Sequence, residues 1–156
     1  KIETPGSVEE IGPKAFHACL DLGSATINGN SLTLVQEEVF SGCSSLTEVF
    51  VPSSVTSIEK RAFHGCRKLH TAIQSRAQGQ QEESVKKASL LPSIVRIGEG
   101  AFESCQSIES FQLSENIRII GKAAFKGCEN LQDFEFPEGL QVIGNEAMAK
   151  CWSLGF

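Results

Sequence analysis

The sequence contains no tyrosine and only one methionine and one tryptophan, although phenylalanine occurs ten times. It has no run of 18 or more apolar residues, so no segment is predicted to cross a bilayer as a helix. It does not open with a charged segment followed by an apolar one, so no signal peptide is visible. A formal net charge of −5 argues against a duplex nucleic-acid binder. The 156 residues, 40% of them hydrophobic, are sized for one domain with a buried core.

The common motifs of catalysis and metal binding are also missing. There is no glycine-rich phosphate loop, no G-x-G-x-x-G and no C-x-x-C pair. His17 and His64 each lie two residues before a cysteine, but zinc needs about four converging ligands. Nucleophilic catalysis by cysteine requires an exposed thiolate beside a base, which six equivalent buried thiols would not provide. We therefore expect no enzymatic activity, no metal and no cofactor.

The six cysteines indicate a repeat, because they are separated by 24, 23, 39, 23 and 23 residues. Each cysteine follows a phenylalanine, or once a methionine, by three residues, and an isoleucine or valine by eight. Such a period predicts stacked units that bury one continuous core. We expect the cysteines to be small, buried, free thiols. The predicted core residues are Phe16, Cys19, Phe40, Cys43, Phe63, Cys66, Phe102, Cys105, Phe125, Cys128, Met148 and Cys151.

Two shorter periodicities alternate inside each unit. One apolar face of a short helix is predicted where Ile58, Phe63 and Cys66 fall at i, i+5 and i+8. Val49 and Val51 follow the period of two that is typical of a half-buried strand. Gln36 and Glu59 replace the glycine that follows the isoleucine in most units, so a positive φ is not obligatory at that position.

The unit resembles the BspA-like class of leucine-rich repeats, whose repeats read much like I-P-S-S-V-T-x-I-G-x-x-A-F-x-x-C-x-x-L. Residues 51–58, followed by Ala62, Phe63, Cys66 and Leu69, carry this likeness. The resemblance implies an α/β solenoid: a right-handed superhelix with a concave parallel β-sheet and short helical turns on the convex side. It also implies protein-binding roles, often on the surfaces of bacteria and protists. Intracellular or organellar locations stay open.

The domain is expected to span residues 1–156 with about six units, interrupted by an insertion at about 74–90. Charge pairs four residues apart, Glu82 with Lys86 and Glu83 with Lys87, favour a short helix in the insertion. We interpret the insertion as a tolerated surface loop or, alternatively, as part of a binding rim. Neither end has the polar cap that a solenoid needs, so we expect a fragment of a longer chain or ends covered by neighbours.

The outward positions of the strands are the candidate partner-binding residues, because they vary while the inward ones stay alike. Phe50 stands out as a possible interface anchor, since the same position elsewhere holds polar residues. Acidic residues dominate 129–146, whereas basic residues cluster near Lys60 and Arg67; this asymmetry fits either steering of a partner or an ordinary solvated face. The candidate positions are Ser24, Thr26, Glu48, Phe50, Thr71, Ser110, Gln112, Asp133 and Glu135.

These observations favour a non-catalytic ligand-binding or scaffold module for protein partners, without nucleic acid and without membrane insertion. The alternative is an architectural subunit, held in a larger assembly through its open ends and its insertion.

Overall fold

The computed structural model describes residues 1–74, 88–89 and 91–155, with the backbone alone at 71–74 and 88–89. In these residues the regular elements are twelve short strands, and none of them is helical. The described part of the chain therefore holds no helix able to span a bilayer. The strands are β1 (Ile2–Glu3), β2 (Ser24–Thr26), β3 (Leu34–Val35), β4 (Glu48–Phe50), β5 (Ser57–Ile58), β6 (Thr71–Gln74), β7 (Ala88–Ser89), β8 (Arg96–Ile97), β9 (Ser110–Gln112), β10 (Ile119–Ile120), β11 (Asp133–Glu135) and β12 (Val142–Ile143).

The chain winds into six stacked coils, all of whose strands pair in parallel with those of neighbouring coils. Each coil begins with a strand on one side of the solenoid, which we call the concave sheet after its expected curvature. Coils 2 to 6 then cross to a second strand, and every coil returns through tight turns that we call the turn layer. We number the coils by residues 1–23, 24–47, 48–70, 88–109, 110–132 and 133–155. The second strands form one five-stranded sheet in the order β12-β10-β8-β5-β3. The expected parallel solenoid is thereby confirmed.

The insertion adds a strand to the concave sheet. Strand β6 pairs with β4, whereas β7 pairs with β9, and β6 and β7 lie side by side between them. On the opposite side of the solenoid, β5 pairs with β8 directly. The concave side therefore holds one strand more here than the sheet of second strands does, and its strands form a four-stranded sheet (β1-β2-β4-β6) beside a three-stranded one (β11-β9-β7). Part of the segment that we interpreted as a surface loop is thus sheet. The helix predicted over Glu82–Lys87 lies outside the described residues.

The predicted helical turns are wrong, and the backbone dihedral angles explain why. In every coil the residues two before and two after the phenylalanine position have positive φ, as at Arg61 with φ 52° and Gly65 with φ 71°. An α-helix of L-residues cannot include such left-handed residues. The apolar spacing was real, since Ile58, Phe63 and Cys66 are all buried. It is produced by consecutive β-turns instead of by a helical face.

A ladder of main-chain hydrogen bonds runs through the turn layer. The N–H groups of Arg61, Phe63 and Gly65 donate to carbonyls of coil 4 at 2.8 Å each. The same three positions donate to the next coil at all five junctions between successive coils. Because the positive φ values turn alternate N–H groups toward the neighbouring coil, the turn layer is held like a sheet although it contains no strand.

Phenylalanine rings stack along the centre of the solenoid. Phe16, Phe40, Phe63, Phe102 and Phe125 form one column, with centroids 5.3–5.6 Å apart and interplanar angles of 9–15°. Phe111 and Phe134, which point inward from the concave sheet, meet this column edge-on. The column holds five of the ten phenylalanines, and Phe111 and Phe134 bring the cluster to seven. Its two ends are less covered, since Phe16 and Met148 are only partly buried.

Candidate partner-binding surface

The concave strands alternate as the sequence predicts. Val49 and Phe111 are buried, whereas their neighbours Glu48 and Gln112 point outward and are half-buried and exposed respectively. The strand register then places equivalent outward residues in rows. Ser24 lies beside Glu48 and Thr26 beside Phe50; Ser110 lies beside Asp133 and Gln112 beside Glu135.

Two of the candidate residues differ from expectation. Thr26 is only 4% exposed and is therefore part of the buried surface. It pairs with Glu3 on one neighbouring strand and with Phe50 on the other, so it has a side chain on each side. Phe50 is half-buried, not the freely exposed aromatic ring that the sequence suggested. The sequence could not reveal this, because burial on a sheet face depends on which side chains lie alongside.

Thr71 lies in the inserted strand β6, where the backbone alone is described. Its strand mate is Glu48, and the register shifts by one residue before Gln74 pairs with Phe50. Thr71 is therefore on a strand next to the N-terminal rows. Strand β7 of coil 4 separates it from Ser110, its counterpart in the repeat.

The C-terminal half of the concave face contains a hollow of about 450 Å³. Four of the nine candidate residues line it, namely Ser110, Gln112, Asp133 and Glu135. Its other lining residues include Glu115 and Phe136, which the sequence analysis did not single out. Phe136 directly follows Glu135, at the position that Val51 and Leu113 hold in other coils. This hollow brings together carboxylates and an exposed aromatic edge.

The acidic segment 129–146 does not form one surface. Asp133 and Glu135 face the concave hollow, whereas Glu146 lies in the turn layer and accepts a hydrogen bond from Lys126 Nζ at 2.5 Å. This bond lowers the pKa of the Glu146 carboxyl and raises the pKa of the Lys126 ammonium group. Within the part of the chain that the structure describes, no lysine or arginine lines the hollow. Only part of the acidic bias is thus directed to the concave face.

Ion pairs between successive coils follow the turn layer. Lys60 lies 3.9 Å from Glu99, and His64 Nε2 lies 3.8 Å from Glu103. His17 approaches a different position of the next coil, with its Nδ1 3.7 Å from Glu38. The two histidines that precede cysteines therefore face carboxylates of the next coil. In the described residues no group of three or more metal-ligating side chains converges.

Five of the six thiols donate a hydrogen bond to the preceding coil. Cys105 Sγ, for example, lies 3.1 Å from the carbonyl oxygen of Phe63, which also accepts the N–H of Cys66. The same bond is made by Cys43, Cys66, Cys128 and Cys151 at 3.0–3.2 Å. The cysteine position therefore suits a small side chain that can also donate a hydrogen bond. This bond is the second one that the buried carbonyl oxygen accepts.

Burial makes these thiols unreactive. It raises the pKa of the Cys43 thiol to about 11 and moves the pKa values of Cys66, Cys105 and Cys128 further above the usual range. Burial raises the pKa of the Cys151 thiol as well. All six cysteines are free. Cys19 is the exception to the expected burial, because its side chain is exposed.

Comparison with known proteins agrees with this architecture. A leucine-rich repeat protein of Treponema pallidum is 26% identical, with a TM-score of 0.71, over 99% of this chain and 77% of its own. A leucine-rich repeat protein of Bacteroides ovatus has the same fold, with a TM-score of 0.68 and 24% identity over 98% of this chain and 44% of its own. No curated protein matches the chain at a significant level.

The family assignment rests on the repeats themselves. Six copies of the BspA-type leucine-rich repeat match residues 1–79 and 80–155, which together are nearly the whole chain. The number of copies equals the number of coils in the described residues. This chain belongs to the BspA-type leucine-rich repeat family.

Proposed function

We propose that this chain is a non-catalytic module that binds a protein partner through its concave face. Repeats of this family serve in general as protein-interaction modules. The observation that carries the proposal is the hollow of about 450 Å³, lined by four outward residues that differ from coil to coil. Variable side chains on a fixed sheet allow recognition to change while the core is kept.

The charge of the hollow favours a basic partner surface. Asp133, Glu135 and Glu115 supply three carboxylates, and no cationic side chain among the described residues lines the same hollow. Complementary charge speeds association and excludes acidic surfaces. The ring of Phe136, packed edge-on against Phe134 with centroids 5.1 Å apart, offers an apolar contact beside these acids.

A charge-reversal variant tests this proposal. The double variant Asp133→Arg with Glu135→Arg changes the concave face. The matched control, Glu37→Arg with Glu129→Arg, makes the same change in net charge at exposed sites outside the hollow. The immobilised wild-type chain first isolates binding proteins from its native source, and each is then produced alone and titrated calorimetrically.

We expect the concave variant to bind a captured protein at least about tenfold more weakly, which corresponds to one buried charge contact. The control should bind within about twofold of wild type. Both variants should keep the wild-type circular dichroism spectrum. Equal affinity of the concave variant and the wild type would contradict the proposal, as would an equal loss in the control.

A further inference from the structure

The outer face of the second strands combines exposed aliphatic side chains with arginines in coils 4 and 5. The two residues before the buried isoleucine are Val95 and Arg96 in coil 4, and Arg118 and Ile119 in coil 5. The N–H of Arg118 donates to the carbonyl of Val95 at 2.9 Å, and Arg96 pairs in register with Ile119. These four residues, which we call the arginine block, therefore place the arginines on one diagonal and the aliphatic residues on the other.

The block lies inside the stack of coils. Coil 4 pairs with coil 3 on one side and with coil 5 on the other, and coil 5 pairs in turn with coil 6. Val95 is nevertheless 42% exposed and Ile119 37% exposed. Their exposure is therefore a property of the lateral surface of the solenoid, because both of their coils are covered by neighbours.

The block is basic in a chain whose formal net charge is −5. Neither of its arginines forms an ion pair with a described residue. The acidic residues closest to them along the chain are engaged elsewhere, since Glu99 pairs with Lys60 at 3.9 Å and Glu115 lines the concave hollow. The equivalent positions of the other second strands carry no acidic side chain either; they hold Thr33, Leu34, Thr56, Ser57, Gln141 and Val142.

The guanidinium group of Arg118 is held in place by its own chain. Its Nη1 donates to the carbonyl oxygens of Glu115, at 2.8 Å, and Ile117, at 3.1 Å. A Cβ atom at Gly139, in the next coil, would lie 2.5 Å from this Nη1, so glycine leaves the space that the arginine occupies. Because Nη1 makes both bonds, the N–H groups of Nε and Nη2 donate to no described residue. The edge that they form matches the two oxygens of a carboxylate.

We infer that the arginine block binds an acidic, extended segment of a protein partner, at a site separate from the concave hollow. The segment carries two carboxylates two residues apart. With strands about 4.8 Å apart and residues about 3.3 Å apart along each strand, the two arginines are separated by about 6 Å. Side chains at i and i+2 of an extended segment share one face at about 6–7 Å, which matches this separation.

The composition of the block favours a peptide over a polyanion. Nucleic acids carry a charge at every repeat and are bound by long rows of lysine and arginine. Here only two arginines occur, and aliphatic side chains hold the other diagonal. These aliphatic side chains exclude water beside each ion pair, which strengthens the attraction between the charges.

Backbone amide chemical shifts of the isotope-labelled chain would show where an acidic peptide binds. The probe is acetylated Gly-Glu-Gly-Glu-Gly amide, and the matched control peptide has glutamine at both glutamate positions. We expect the glutamate peptide to shift the amides of the four block residues and to leave those of Asp133 and Glu135 in the hollow unchanged. Its Kd should be at least about tenfold lower than that of the glutamine peptide. Gly-Glu-Glu-Gly-Gly, which has the same composition, should bind about threefold more weakly, because adjacent side chains point to opposite faces.

Two arginine variants test the contacts separately. Arg96→Gln removes an exposed charge that the fold does not use, so the Kd of the glutamate peptide should rise about fivefold. Arg118→Lys keeps the charge but loses the paired N–H groups, so the Kd should rise at least about threefold. The matched control is Arg67→Gln, which makes the same charge change at an exposed position in the turn layer of coil 3. It should leave the Kd within about twofold of wild type.

Several results would overturn the proposal. Shifts confined to residues outside the block, or no shifts at millimolar peptide, would mean that the block is not the site. An equal loss in Arg96→Gln and Arg67→Gln would reduce the attraction to net charge. Equal affinity for the glutamate and glutamine peptides would exclude carboxylate recognition, and tighter binding of inorganic sulfate than of the glutamate peptide would indicate a polyanion site.

Discussion

The turn layer and the concave sheet of this solenoid are built from the same coils but tolerate very different variation. In the turn layer every coil repeats two positive φ values and a large apolar side chain, and three N–H bonds join each successive pair of coils. The concave sheet carries serine, glutamate, glutamine and aspartate at equivalent positions, and it also admits an extra strand. The contrast teaches that the turn layer holds the coils together, while the concave face is free to serve recognition.

The largest predicted effect is unfolding at alkaline pH, caused by ionisation of the buried thiols. Their pKa values are raised in the folded state, so the stabilisation is complete below about pH 9 and is lost as the pH rises and the unfolded thiols ionise. Above that pH, each such thiol lowers the free energy of unfolding by about 1.4 kcal/mol per pH unit. Cys66, Cys105 and Cys128 together therefore lower it by about 4 kcal/mol per pH unit. With an ordinary stability of about 5–15 kcal/mol, we expect unfolding between about pH 10 and pH 12 by circular dichroism.

The serine variants separate this effect from general alkaline damage. Replacing Cys66, Cys105 and Cys128 by serine keeps a donor toward each phenylalanine carbonyl but removes the titrating thiol, so the transition should move to higher pH. Cys19→Ser is the matched control, because this side chain is exposed, and it should leave the transition in place. An unchanged transition in the triple variant would exclude the thiols as its cause.

Phe102→Ala should be the most damaging single substitution in the turn layer. The ring is fully buried between Phe63 and Phe125 and also meets Phe111 edge-on. Its removal leaves a cavity, so the free energy of unfolding should fall by about 3–5 kcal/mol in urea titrations. Phe50→Ala on the concave face should cost less, because that ring is only half-buried. An equal loss of unfolding free energy in the two variants would contradict the proposed difference between the turn layer and the concave sheet.

The positive φ values predict a smaller effect. Gly127 has φ 73°, and a Cβ atom there would come no closer than 3.5 Å to another atom, so Gly127→Ala isolates the backbone cost. We expect a loss of about 1–2 kcal/mol, measured by urea unfolding. Ser104→Ala changes the same position in the preceding coil, which already has a non-glycine residue at φ 62°, and should change little. A similar loss in both variants would point to side-chain contacts instead.

Substitutions of the exposed concave residues should have the smallest effect on stability. Gln112→Thr and Glu135→Gln alter side chains that the fold leaves in solvent, so the free energy of unfolding should change by less than about 0.5 kcal/mol. Differential scanning calorimetry would measure this. A loss above 1 kcal/mol would mean that the hollow contributes to folding and is not reserved for a partner.

Local patterns predicted part of the fold and of the candidate surface. The repeat length, the buried phenylalanines and the alternation in β4 could be read from the spacing of Val49, Val51 and Phe63, because burial repeats with the coil. The same apolar spacing misled us about the turns, since Ile58, Phe63 and Cys66 fit a helical face but lie in turns with left-handed residues. Non-glycine residues such as Arg61 give no sequence signal of a positive φ.

The sequence by itself determined the number of coils, the family and the identity of the core, because every copy must place the same side chains in the same stacked positions. The tertiary structure decided where β6 enters the concave sheet, why Thr26 is buried, and that Cys19 is exposed while its five equivalents are not. These properties depend on which coil or strand lies alongside a residue, and neighbours in a stack are about 23 positions away along the chain. Local sequence propensity therefore cannot predict a contact that forms only when the coils stack.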